Sequence, residues 1–322
     1  MSIIDLLVSF AVVFIASILF TNSIEYISSR LKFTKSFTGT IISPFFSSFP
    51  ELIVFIIAIA FVGGKSGDEV AIGTVLGEPF IVSTVSYSFI FAVIILSMFL
   101  HKNFNFKINV EKNLFLPYLF ITILFSSLLI PAYFGSFHFE IGLILILFYL
   151  IYFYLIRKLE GEGFEEEFEK PYLSYFMNIN LSVIIQLIVS FLMLYFGSKL
   201  LVSSIIDISN SLGISALTLS IVIVPIATAL PETMISMIWA YKGKYSLAIY
   251  SLIGEIILCS SIYPGIALIF IPWSLNTGAV LSIISTVIVS FTYLISSIRG
   301  KIHVLTFILG LIFFFIYVFI IF

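Results

Sequence analysis

Apolar runs of about twenty residues, the length of a helix that crosses a bilayer, succeed one another along this sequence with only short polar breaks. Ten such segments emerge, roughly 3–28, 37–62, 70–99, 114–133, 139–157, 176–204, 213–240, 246–271, 275–297 and 303–322. They predict an all-α polytopic membrane protein. One longer hydrophilic stretch, RKLEGEGFEEEFEKPY at 157–172, interrupts them and leaves five segments on either side. The organisation expected is a five-helix repeat over 1–157, an acidic cytoplasmic linker over 158–175 and a second, inverted five-helix repeat over 176–322.

Composition agrees: 61% of the 322 residues are apolar and 10% charged, against about 25% charged in soluble domains. Basic residues test the segment count. With the N-terminus outside, five loops face the cytoplasm and hold Arg30, Lys32 and Lys35; Lys102, Lys107 and Lys112; Arg157, Lys158 and Lys170; Lys242 and Lys244; and Arg299 and Lys301. That is thirteen of fifteen, with Lys65 and Lys199 outside, the alternation that the positive-inside rule asks for. Both termini then lie outside. Because five is odd, the second half enters the membrane in the opposite sense to the first. The first segment lacks a basic leader and a cleavage site and reads as a retained span. No organelle address is visible, so a cell membrane is the default compartment. The net charge of −2 says little about partners, the lone Cys259 rules out a disulfide framework, and no nucleic-acid partner or cofactor is expected. The oligomeric state stays open.

Two motifs recur across the halves. PFFSSFPE (44–51) matches PIATALPE (225–232), and AIGTVLGE (71–78) matches AIYSLIGE (248–255). Their glutamates stand 27 residues apart in the first half and 23 in the second, and the shorter turn YKGK replaces GGKSGDE. Matched motifs in matched order on oppositely oriented halves are the mark of an inverted-topology repeat.

The motifs carry chemistry. A charge at mid-bilayer costs at least ~2.5 kcal/mol on insertion scales. A single buried glutamate is often a protonated contact between helices, but four are an expensive way to pack helices. Glu51, Glu78, Glu232 and Glu255 each follow a hydroxyl by four residues: Ser47, Thr74, Thr228 and Ser251. Residues four apart share a helix face. Pro50 and Pro231 lack an amide hydrogen and crowd the preceding turn, which predicts freed carbonyls at Phe46 and Ala227. Pro79 is expected to loosen the third span near Val75. Carboxylates, hydroxyls and carbonyls are the hard oxygen donors that Ca²⁺ takes six to eight at a time.

SSFPEL (47–52) and TALPET (228–233) resemble the GTSLPEL signature of the calcium/cation antiporter superfamily, which includes the sodium/calcium exchangers. GTVLGEPFIV (73–82) and YSLIGEIILC (250–259) are similar to its GNVIGSNIFN partner. The resemblance covers both repeat cores, about 39–90 and 213–265, and fits the ten-span layout. It implies alternating-access exchange of Ca²⁺ for Na⁺ or H⁺. It also implies that Glu51 and Glu232 are central Ca²⁺ ligands, flanked by hydroxyl and carbonyl ligands at Ser47, Ser48 and Thr228, and that the first and sixth spans slide. Departures from the family pattern cluster at the same place. Ala229 replaces a serine, and Thr74 and Ser251 replace asparagines. Glu78 and Glu255 stand in place of serines, while Val82 and Cys259 occupy positions that often supply Asn or Asp oxygens. Two carboxylates thus sit one turn from where polar ligands are missing, which leaves stoichiometry and selectivity open.

The counter-ion is also open. Four carboxylates in one desolvated cavity repel and favour protons when no cation is present, but Na⁺ neutralises the same charge. Rival functions are a passive cation channel and an intramembrane enzyme such as a lipid-phosphate phosphatase. The phosphatase wants Arg or Lys beside its phosphate, and the four core spans hold none. His101, His138 and His303 sit near span edges and give a zinc protease no ligand set. The acidic linker, with Glu160, Glu162, Glu165, Glu166, Glu167 and Glu169, lacks the EF-hand pattern and reads as a solvated connector.

Overall fold

A computed structural model describes residues 3–30, 43–100, 107–110, 114–158, 170–304 and 306–321. The acidic run at 159–169, Lys32, Lys35, Lys102, Lys112 and the start of the first core motif lie outside the described residues. The helices are α1 (Ile3–Arg30), α2 (Ser43–Ser47), α3 (Phe49–Ile57), α4 (Gly64–Ile81), α5 (Tyr87–Leu100), α6 (Phe115–Ser127), α7 (Leu129–Phe134) and α8 (His138–Lys158). They continue with α9 (Ile179–Leu212), α10 (Ala216–Thr228), α11 (Leu230–Tyr241), α12 (Tyr245–Cys259), α13 (Ile262–Phe270), α14 (Thr277–Ile298) and α15 (Thr306–Ile321). π-Helical turns at Ala58–Val62 and Val82–Ser86 follow α3 and α4.

Among the described residues, seven helices are long and apolar enough to cross a membrane, or eight if α10 and α11 form one broken span. This is a multi-pass membrane protein. The other two segments, expected at 37–62 and 303–322, hold shorter apolar helices among the described residues, Phe49–Val62 and Thr306–Ile321. A turn at Ser48, just ahead of Pro50, separates α2 from α3. The last helix starts late because Lys301–His303 forms a strand, β2, paired antiparallel with β1 (Lys107–Asn109). This ribbon corrects the all-α expectation. Ile108 pairs with Ile302 and both are buried, whereas the basic residues around them had suggested plain loops.

Two of the three prolines singled out lie beside interruptions of a helix. Turns at Ser48 and Ala229 each break the chain two residues before Pro50 and Pro231. The third differs: α4 runs unbroken through Val75 and Pro79 and widens only at Val82–Ser86. Losing one hydrogen bond does not end a membrane helix that its neighbours hold in place.

The chain divides into two compact units, each taking segments from both sequence halves. One comprises Met1–Thr74 and Ile156–Pro231, the other Val75–Leu155 and Glu232–Phe322. In the first, α1 lies along α9, and α2, α3 and α10 pack on this pair. Gly197 permits the close crossing, since a Cβ there would stand 2.9 Å from Val12 Cγ1. In the second unit, α6 packs on α12 and α14, and α15 on α5, α14 and the Val82–Ser86 turn. Its centre holds Tyr87, Tyr118 and Tyr293 in ring contact, with the Tyr87 and Tyr118 hydroxyls 2.9 Å apart.

Two amides that the sequence did not single out join α1, α9 and the C-terminal end of the acidic linker. Buried Gln186 donates through Nε2 to Leu19 O (2.9 Å) and Asn22 Oδ1 (2.9 Å), and its Oε1 accepts from Leu173 N (3.0 Å). Asn22 accepts from Tyr172 N (3.2 Å) and donates to Lys170 O (3.4 Å). The short 3₁₀ turn Tyr172–Tyr175 is thereby seated by side chains that satisfy its first amides. Gln186→Leu strands these groups, each worth about 1–3 kcal/mol when buried unpaired. The variant is expected to melt several degrees lower in detergent and to be cleaved faster by protease between Lys170 and Tyr175; an unchanged melting curve contradicts this role.

Candidate ion-binding site

All four predicted glutamates are buried: Glu51 is 2% exposed, Glu78 1%, Glu232 6% and Glu255 2%. A carboxylate withdrawn from water to this degree is costly unless something of opposite charge or a hydrogen-bond donor meets it.

In the first unit Glu51 sits in the opening turn of α3, just past the Ser48 break. Breaking the helix there frees its first amides and aims their dipole at the acidic end. The Thr228 hydroxyl, at the last residue of α10, lies within hydrogen-bonding reach of both the Glu51 carboxyl and Val224 O (3.0 Å to the latter). Glu51 Oε2 is buried and has no hydrogen-bond partner among the described residues. Ser47 and Ser48 both donate to Pro44 O, at 3.2 and 2.9 Å, and Thr74 donates to Val70 O at 2.9 Å. Phe46 and Ala227 lie on α2 and α10, each within two residues of the break that follows.

In the second unit Cys259 Sγ donates to Glu78 Oε2 at 2.8 Å, with both residues buried. Sequence reading placed Cys259 at a position that often bears an oxygen ligand but gave no sign that its thiol meets Glu78. Across the hairpin of α11 and α12, the Ser236 and Ser251 hydroxyls stand 2.6 Å apart, and Ser251 also donates to Ala248 O at 3.1 Å. That contact sets the register. Glu232 lies four residues before Ser236 and Glu255 four after Ser251, so both carboxylates are level, about one helix turn (~6 Å) farther from the Lys242–Lys244 turn. Thr233, beside Glu232, pairs with Ser86 of the π-helical turn at 2.7 Å. Ser83, Thr84 and Ser88 add buried hydroxyls on the same stretch. The signal for these was available in VSTVSYS (82–88), a polar run inside an apolar span.

Ser47, Ser48, Thr74 and Ser251 thus each donate to a carbonyl three or four residues back, whereas the single Thr228 hydrogen is shared between Val224 O and the Glu51 carboxyl. A hydroxyl whose hydrogen is spent this way offers only lone pairs to its surroundings, the face that a cation wants. Among the described residues no group of three or more His, Cys, Asp or Glu stands together as a preformed metal cluster.

Each unit therefore joins a motif residue from one half to a motif residue from the other: Glu51 with Thr228, and Glu78 with Cys259. Solved structures share the fold. The H⁺/Ca²⁺ exchanger CAX superposes with a TM-score of 0.75 at 14% identity, over 98% of this chain and 80% of that one. The sodium-calcium exchanger NCX_Mj, in crystals soaked with 2.5 mM Na⁺ and 0.1 mM Sr²⁺, gives 0.62 at 19% identity over 99% of both chains. Native YfkE gives 0.68 at 15% identity over 97% and 91%. At these identities the likeness carries the fold. No curated protein matches the chain in sequence. The family model described as sodium/calcium exchanger protein matches residues 1–158 and 182–322, nearly the whole chain and both motif pairs. The chain belongs to the sodium/calcium exchanger protein family.

Proposed function

We propose that this protein is a secondary active antiporter that carries Ca²⁺ across the membrane in exchange for Na⁺ or H⁺. Its ten spans form two inverted repeats of five, with both termini outside and the acidic linker in the cytoplasm. Glu51 and Glu232 are the principal ligands of the transported ion. Glu78 and Glu255 complete the coordination or hold the counter-ion. Ser47, Ser48, Thr74, Thr228 and Ser251 add hydroxyl lone pairs, and Phe46 and Ala227 add carbonyls.

The observation that carries this reading is the pairing of Glu78 with Cys259 and of Glu51 with Thr228. Residues 181 positions apart in sequence, one from each repeat, meet in a buried setting that has no packing need for a carboxylate. Family membership supports the transport class, and the lone-pair orientation of the hydroxyls supports a hard cation as cargo. Exchange follows from energetics, because an empty cluster of buried negative charge is unfavourable to carry through lipid, whereas a filled one is neutralised.

The test is ⁴⁵Ca²⁺ uptake by purified protein in liposomes under imposed Na⁺ or pH gradients. Uptake is expected to follow one outward counter-ion gradient and to stop when that gradient is collapsed. Flux that ignores both gradients would mark a channel instead.

A further inference from the structure

The Ser236–Ser251 contact lies one helix turn from Glu232 and Glu255, on the side of the Lys242–Lys244 turn. Serines in membrane helices ordinarily satisfy themselves on their own backbone, as Ser47, Ser48 and Thr74 do. Ser251 does the same through Ala248 O, whereas Ser236 reaches across to Ser251 on the neighbouring helix. With its hydrogen committed to Ala248 O, Ser251 accepts from Ser236, and Ser236 keeps its lone pairs for another group. Ser236 is itself fully buried, between two acidic side chains and the end of the hairpin.

The first repeat has no counterpart. Thr74 matches Ser251 in the motif, but the residue four after Glu51 is Phe55, an apolar side chain that is also buried. At the position after its motif glutamate where the second repeat carries the hydroxyl of Ser236, the first carries the aromatic ring of Phe55. A purely structural hydrogen bond between spans gives no reason for that difference to fall one turn from the acidic pair in one repeat alone.

We propose that Ser236, with Ser251, is a transient oxygen site for a partly dehydrated divalent cation. The ion meets it on the way between the membrane face that bears Lys242 and Lys244 and the Glu232–Glu255 level. Ser236 is thus a specificity-setting residue for entry from one face, an assignment that rests on the antiport reading above. It makes the protein kinetically lopsided: the ion sheds its last waters in steps from one side and all at once from the other.

The experiment uses the full chain in liposomes of one orientation, with the Ca²⁺ dependence of ⁴⁵Ca²⁺ exchange measured from each face. Ser236→Ala is expected to raise the half-saturating Ca²⁺ concentration about three- to tenfold, the effect of losing one contact of ordinary neutral hydrogen-bond strength. The rise should appear at the Lys242–Lys244 face alone, and Ser236→Thr, which keeps the hydroxyl, should restore the wild-type value. Equal shifts at both faces would assign the pair a structural role, and no shift at either would remove it from the path; both overturn the proposal. A wild-type protein that exchanges normally beside such a variant leaves the antiport reading intact, whereas an inert wild type sinks that reading and this one with it.

Discussion

Glu51→Gln is expected to reduce ⁴⁵Ca²⁺ exchange more than a hundredfold, and Glu232→Gln to do the same. Glutamine keeps the shape and one oxygen of glutamate but removes the charge. A divalent ion leaving water must recover its hydration energy from ligands, and neutral oxygens alone recover too little in a buried site. Removing one member of a buried charge pair costs about 3–5 kcal/mol, which is over two decades of affinity at about 1.4 kcal/mol per decade. Stability should move the other way. The ion-free protein holds Glu51 buried, with one oxygen lacking a hydrogen-bond partner among the described residues, so a neutral amide relieves a desolvation penalty. A melting temperature equal to or above that of the wild type, joined to lost exchange, separates a ligand from a packing residue.

The second large effect lies in packing. Gly73 precedes Thr74 in the motif, and a Cβ at this position would meet Leu217 O at 2.6 Å and Ser220 Oγ at 2.6 Å. Neither distance is tolerable, and Leu217 O is backbone that cannot swing aside. Gly73→Ala therefore pushes the α4 and α10 backbones apart, at the roughly 1–3 kcal/mol typical of overpacked cores. The expected result is a melting temperature lower by several degrees and exchange reduced at least tenfold, because α10 also carries Thr228 against Glu51. Adding Ser220→Gly should recover part of the loss, since it clears the side-chain clash but leaves the Leu217 carbonyl. Unaltered stability in Gly73→Ala would mean that the helices are looser than this contact implies.

Much of this was legible in the sequence because membranes restrict what a chain can do. Apolar length alone located the helices that span the bilayer, and Pro50 and Pro231 marked the breaks at Ser48 and Ala229, since a missing amide hydrogen is a local property. The paired motifs pointed to Glu51, Glu78, Glu232 and Glu255, and all four are buried. What escaped depends on contacts between distant residues. Spacing cannot show that Cys259 meets Glu78, or that Asn22 and Gln186 seat Lys170–Leu173. The pairing of β1 with β2 rests on three residues a side, too few for alternation to register. Pro79 misled because its effect is set by the neighbours of α4 and not by its own ring. The hydroxyl register at Ser236 and Ser251 needs the hairpin closed before it can be seen.

The ligand roles proposed for Glu51 and Glu232 require that the bound Ca²⁺ depend on each of them. Equilibrium ⁴⁵Ca²⁺ binding to purified protein in detergent tests it without transport. One tightly bound Ca²⁺ per chain is expected in the wild type, and its loss in Glu51→Gln and in Glu232→Gln alike. Binding that survives either single substitution with wild-type affinity, or that falls by half in each, would contradict these roles.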